Sequence, residues 1–217
     1  MKRKKTVAKK QLKKKERKIM SRELVLSYSK ARGRATSFSI LNCQAKRWPF
    51  RWIGHTAMIY RDEELGSVWV YESTQTGDAE GVRLVLFSQW LRDYPGQVWL
   101  RRCHITDGVT KRRAQASLQR HICFFRGVPY PNLKKAKGIL FLVRAAWDSC
   151  LFKKASTNMD TGMYFFCTHL VAHVFRWATL AKEGYIAAEF EPDDMRDGSF
   201  DDWLCAGVDL EPEVRIK

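Results

Sequence analysis

Three side chains in this sequence could do covalent chemistry together: His55, Glu72 and Cys167. A thiol is nucleophilic as its thiolate, and an imidazole nearby can hold the proton it gives up. A carboxylate beside that imidazole fixes its tautomer and supports the imidazolium. His55 opens one predicted strand and Glu72 closes the next. The two-residue repeat of strands points both the same way from neighbouring strands. Cys167 falls in the first turn of a predicted helix, just after a break at Thr161-Gly162. The partial positive charge of a helix N-terminus favours the thiolate there. Each residue alone has an ordinary explanation: a core cysteine, a structural histidine, a solvent-facing glutamate. Residues 55 and 167 are distant in the chain, so only the fold can join them.

The elements that must position these groups are read from period and turn signals. Strands are expected over SFSILNC (37–43), GHTAMIY (54–60), VWVYES (68–73), 82–87 and 98–103. In the second of these, His55, Ala57 and Ile59 share one face and Thr56, Met58 and Tyr60 the other. Val68, Val70 and Glu72 share a face of the third. Ser88 is expected to cap a short helix through Tyr94, followed by a Pro95-Gly96 turn. Asp107 caps a helix to about Arg126, stopped by Gly127 and Pro129. Further helices are expected over 138–153, over 165–182 with Gly184 as its stop, and near 200–205, while Asp193-Asp194 read as caps. Strands in one half and helices in the other predict an α+β domain with an antiparallel sheet packed against helices.

Order adds what the separate residues lack. The segments GHTAMIYRD, VYEST, GVRLVLFSQWLRDYPGQVWLRRC, GVPYP and MYFFCTHLVAHVFR follow one another in a series. This series resembles the permuted papain-like branch of the NlpC-type cysteine hydrolases, the YiiX- and YebB-like proteins, over roughly residues 36–196. In that branch a strand-borne His comes first, a carboxylate follows on the next strand, and the Cys comes last on a helix. The resemblance implies a circularly permuted papain-like fold with Cys167 as nucleophile, His55 as general base and later acid, and Glu72 orienting His55. Backbone N–H groups near the helix start would hold the oxyanion. Tyr60 and Tyr164 are candidates to border the pocket. The implied reaction is acyl transfer through a thioester, on an amide or ester. Relatives include amidases of cell-wall peptides and lecithin:retinol-type acyltransferases, so the substrate class stays open. The chain departs from the pattern with Thr-Ser-Phe at 36–38 in place of a Gly-Asp pair, and with Thr168 where Ser is usual. The aromatic insertion 43–53, with Trp48, Phe50 and Trp52, reads as packing or as a cleft wall.

Composition bounds the alternatives. With 217 residues, 45% of them hydrophobic, the chain can bury a single core, which excludes wholesale disorder. The six cysteines include no CxxC pair, so neither a zinc finger nor a disulfide framework is expected. His169 and His173 lie one turn apart, a spacing that can bind metal, but without the Glu of an HExxH motif they read as packing or surface residues, and no metal or cofactor is expected. No stretch reads as a secretory signal or a membrane span, so the expected site of synthesis is the cytoplasm. The formal charge is +16, and residues 1–18 alone hold eleven Lys/Arg against one Glu. That arm, Lys2 to Lys18, carries the second expectation: a tether to nucleic acid or an acidic protein, as in a virion or other particle, with residues 21–217 as the folded body. The arm has no aromatic residue, so base stacking is not expected.

Overall fold

The β-branched and aromatic runs form strands, and their alternation gives the sheet two apolar faces. The computed structural model describes residues 37–44, 54–62, 64–75, 80–130, 165–184, 187 and 190–217. Among these the strands are β1 (Ile40–Gln44), β2 (Gly54–Arg61), β3 (Val68–Thr74), β4 (Gly81–Leu86), β5 (Gln97–Arg101), β6 (Cys103–Ile105), β7 (Val208–Leu210) and β8 (Val214–Arg215). The helices are α1 (Phe87–Asp93), α2 (Gly108–Phe125), α3 (Cys167–Trp177) and α4 (Asp194–Asp197). The main sheet runs β4-β3-β2-β1-β5-β8 with every neighbouring pair antiparallel, and β6 and β7 form a separate antiparallel pair. The chain is thus an α+β fold in which an antiparallel sheet packs against helices.

Odd-numbered residues of β2 face one side and even-numbered residues the other. Leu41, Ala57, Ile59, Val70 and Leu100 bury against Phe87, Trp90 and Leu91 of α1. Ile40, Met58 and Tyr71 bury against α2 and α3, through Leu118, Leu170, Val171 and Phe175. On α2 the buried residues Ala114, Leu118, His121 and Ile122 recur at helical spacing and make one stripe. The Asp107 carboxylate caps this helix, accepting the Thr110 N–H at 2.6 Å. α3 differs, because Cys167 to Phe175 are all buried. No helix of the described residues is long and apolar enough to cross a membrane.

Several boundaries depart from the sequence reading. α1 begins at Phe87 with Leu86 at the cap position and no side-chain cap, so Ser88 lies inside the helix. Burial of Phe87, Trp90 and Leu91 holds this helix in place without a capping hydroxyl. The strand expected over 98–103 breaks at Arg102, where the chain leaves the main sheet to pair with β7. α3 stops at Trp177, well before Gly184. Thr179 takes the left-handed conformation (φ 56°), while Leu180 N–H bonds Phe175 O and Thr179 N–H bonds Arg176 O. These two bonds satisfy the last carbonyls of the helix in the manner of a Schellman motif, and buried Leu180 and Phe175 share the same core. Apolar anchoring thus sustains a turn that composition would assign to glycine. Residues 201–203 form one 3₁₀ turn where a helix to Cys205 was expected, and α4 precedes it with Asp193 at its cap position. The helix expected over 138–153, the arm and most of the aromatic insertion lie outside the described residues.

The helical face contains a buried polar chain. Tyr71 OH lies 3.0 Å from His121 Nδ1, and His121 Nε2 lies 2.8 Å from His173 Nδ1. A neutral His121 satisfies both contacts, accepting from Tyr71 and donating to His173. Burial, then the neighbouring His173 and His169, push the His121 pKa from 6.5 down to about 3. The unfolded chain therefore binds this proton first, and stability falls as pH drops below about 6.5. Each pH unit below that point should cost up to about 1.4 kcal/mol from this group. Urea unfolding between pH 7 and 5 should show a flatter pH slope for His121→Gln than for the native sequence; equal slopes would remove His121 as the cause.

Candidate active site

The site begins with a parting of two strands. β2 and β3 pair from Arg61↔Val68 to Met58↔Tyr71 and then stop, although both strands continue. β3 stays paired with β4 as far as Thr74↔Gly81, and β2 with β1 as far as Gly54↔Gln44. Ile59 N–H donates toward β1, to Ser39 O, so alternation turns the Thr56 N–H toward the gap. The start of α3 fills that gap. Ser73 Oγ donates to Phe165 O at 2.5 Å, and the Cys167 sulfur accepts from the Thr56 and Thr168 N–H groups. A ladder bond forgone by β2 thereby becomes a hydrogen bond to the thiol.

His55 and Glu72 share the α1 face of the sheet, as the two-residue alternation predicts. His55 Nε2 lies 2.7 Å from Glu72 Oε2. The imidazole is also hydrogen-bonded to Cys167, and with Nε2 committed to the carboxylate that contact falls to Nδ1. Glu72 is 2% exposed, so its carboxylate requires full compensation. Oε1 accepts a fork from Arg83, at 2.9 Å from Nε and 2.7 Å from Nη2. Oε2 accepts from Trp90 Nε1 at 2.9 Å as well as from His55. Arg83 stands directly across the β3–β4 ladder from Glu72.

Charge follows from these contacts. Burial raises the Glu72 carboxyl, but the hydrogen bond and charge of His55, then those of Arg83, outweigh it and pull the pKa to about 2. Burial works against the imidazolium of His55, yet its bonds to Cys167 and Glu72 lift its pKa to about 10. Burial likewise raises the Cys167 thiol, and the hydrogen bond and charge of His55, helped by the two N–H groups, bring it below its usual value. Both shifts run toward the thiolate–imidazolium form of the pair.

Aromatic rings frame the pair. Tyr94 stacks on His55 at 6.5 Å and on Trp90 at 4.9 Å. Lys217 Nζ caps the C-terminal carbonyls behind this stack, donating to Leu91 O at 2.6 Å and Tyr94 O at 2.5 Å. Across the cleft, Val82 N–H bonds Val128 O and Gly127 N–H bonds Val82 O, each at 2.8 Å. Gly81 permits this approach, since a Cβ there would stand 2.4 Å from Val128 O. The turn delivers Tyr130, whose ring meets Phe166 edge-on at 5.5 Å. The cleft has a volume of about 640 Å³, with His55, Glu72 and Cys167 among its lining residues and Gln75, Gln89 and Val85 on its walls.

The three residues singled out in the sequence therefore meet. Tyr60 does not join them: it packs against the core on the opposite sheet face from His55, because it has the other strand parity. Tyr164, Cys150 and the Trp48–Trp52 insertion lie outside the described residues. His169 and His173 are buried along α3, with His173 bonded to His121. Among the described residues no group of three or more His, Cys, Asp or Glu is arranged to hold a metal ion. The five described cysteines besides Cys150 are free thiols. Sequence reasoning missed Arg83, Trp90, Tyr94 and Tyr130. Once β3 and β4 are read as a hairpin, Arg83 is the cross-strand partner of Glu72, and Trp90 and Tyr94 are one helical turn apart.

Alkylation of Cys167 by iodoacetamide should rise through a pKa below that of an ordinary thiol. In His55→Ala that rise should move to higher pH, because burial is then opposed only by the Thr56 and Thr168 N–H groups. Peptide-resolved rates across pH would check this, and an unchanged profile in the variant would separate the ring from the sulfur. Compared with known proteins, the chain matches no family model, no curated protein and no solved structure.

Proposed function

We propose that the chain is a cysteine hydrolase or acyltransferase that acts on an amide or ester through a thioester acyl-enzyme. The observation that carries this reading is the His55 ring, held by Glu72 on one nitrogen and hydrogen-bonded to Cys167 on the other side. The Cys167 thiolate attacks the carbonyl carbon, and the carbonyl oxygen takes up negative charge. Helix start N–H groups lack intrahelical partners, and that of Cys167 is the candidate oxyanion donor. As the tetrahedral adduct collapses, the C–N or C–O bond breaks and the His55 imidazolium gives its proton to the leaving group. His55, now neutral, takes a proton from water or another acceptor as it attacks the thioester. The thiolate then leaves and the imidazolium is restored.

The order of the parts supports a permuted papain-like assignment: imidazole on β2, carboxylate on β3, thiol at the start of α3. The cleft is bordered by aromatic rings and amide side chains together with Arg83 and Asp93, and both peptide-type and lipid-type donors remain within the proposal. A p-nitrophenyl ester gives a direct test. Intact-mass analysis should show an acyl adduct on Cys167, and Cys167→Ala should abolish both adduct and turnover. His55→Ala should lower turnover about 10²- to 10⁴-fold. Undiminished turnover in Cys167→Ala sinks the reading.

The arm supports a second role for the same chain. Eleven basic residues within Lys2 to Lys18 could neutralise several phosphates and dock the body on nucleic acid or an acidic surface, such as that inside a virion. Deleting residues 2–18 should abolish salt-sensitive binding to single-stranded RNA while leaving Cys167 alkylation unchanged. Retained binding removes the arm from this role.

A further inference from the structure

We propose that Arg83 is a positioning residue for the nucleophilic pair: its guanidinium orients Glu72 and supplies the charge that lets thiolate, imidazolium and carboxylate coexist in one buried site. The proposal rests on the reading of Cys167 as nucleophile. Its geometric part is the fork. Nε and Nη2 both donate to Oε1, which leaves Oε2 for His55 and the Trp90 N–H. A carboxylate gripped at one oxygen from β4 and at the other from α1 cannot turn away from the ring. Hydrogen bonds to ionised groups of this two-pronged kind fix orientation as well as adding energy.

The electrostatic part is a balance of charges. In the reactive form Cys167 and Glu72 are negative, and His55 and Arg83 positive, so the group is neutral as a whole. The other titratable groups that face it do not alter that balance. Cys43 on β1 and Tyr94 after α1 interact with the sulfur, and burial holds both in their neutral forms. Tyr130, after α2, is kept neutral in the same way. Asp93 at the cleft rim is exposed and pairs with Arg92 at 2.9 Å. Glu213, which acts on Cys43, accepts from Asn42 and pairs with Arg196 at 3.5 Å. Removing the guanidinium leaves one uncompensated negative charge around a carboxylate that is 2% exposed. The least costly response is uptake of a proton, which quenches the thiolate or the Glu72 carboxylate.

Arg83 is 29% exposed, so its replacement leaves no large cavity. The experiment follows Cys167 in the full chain, by iodoacetamide alkylation and thiolate absorbance across pH, with thermal midpoints recorded for each protein. Arg83→Met should move the acid limb of thiolate formation to higher pH by about one unit or more. At pH values below both limbs that is a tenfold or greater loss of alkylation rate. Arg83→Gln, which keeps a polar side chain but no charge, should do the same and serves if the methionine variant does not fold. Arg83→Lys should recover more than half of the displacement, a rescue that a merely structural role would not produce. A low acid limb in the native chain that both neutral variants leave in place overturns this proposal alone. A native limb no lower than that of an ordinary thiol overturns the nucleophile reading and this proposal with it.

Discussion

A carboxylate sealed from water must find donors for its lone pairs, and in this protein Glu72 finds them on three elements. His55 comes from β2, the Arg83 fork from β4 and the Trp90 indole from α1. An uncompensated buried charge is among the most destabilising features a core can hold, so these contacts stand or fall together. They fix the rotation of the imidazole, and its second nitrogen is left to the sulfur. The position of α1 on the sheet is therefore part of the same arrangement, as are the Tyr94 stack and the lysine that caps its carbonyls.

The second constraint is topological. A continuous β2–β3 ladder would use the Thr56 N–H and Ser73 backbone for strand pairing, and no helix terminus could reach the ring. Parting the strands below Met58 and Tyr71 frees one donor for the Cys167 sulfur and opens room for Phe165 to Cys167. The freed groups are repaid by the incoming chain, as buried backbone polar groups must be. Cys167 to Phe175 of α3 then lie within the core, His169 and His173 included, and the His121–Tyr71 chain takes up the polarity of His173 on the face away from the cleft.

Much of this was legible in residue order because it depends on short-range rules. The parity of β2 put His55 with Ala57 and Ile59, and that of β3 put Glu72 with Val68 and Val70. Asp107 announced α2. Ser88 and Gly184 misled because local propensity yields to burial: Phe87 and Leu180 anchor helix ends that capping residues do not mark. Tyr60 was offered as a pocket border against its own strand parity, which already set it on the face away from His55. The break at Arg102 and the strands β7 and β8 escaped because pairing partners more than a hundred residues away decide them.

Residue types and spacing determined which groups could act: a thiol at a helix start, an imidazole and a carboxylate of matching parity, and a chain apolar enough to bury them. Tertiary structure alone decided that they meet, that the imidazole offers one nitrogen to each neighbour, and that Arg83 and Trp90 complete the carboxylate. The physical reason is that ionisation in a buried site depends on distances of a few ångströms between groups from different elements. Periodicity assigns a face to a side chain; only packing assigns its neighbours.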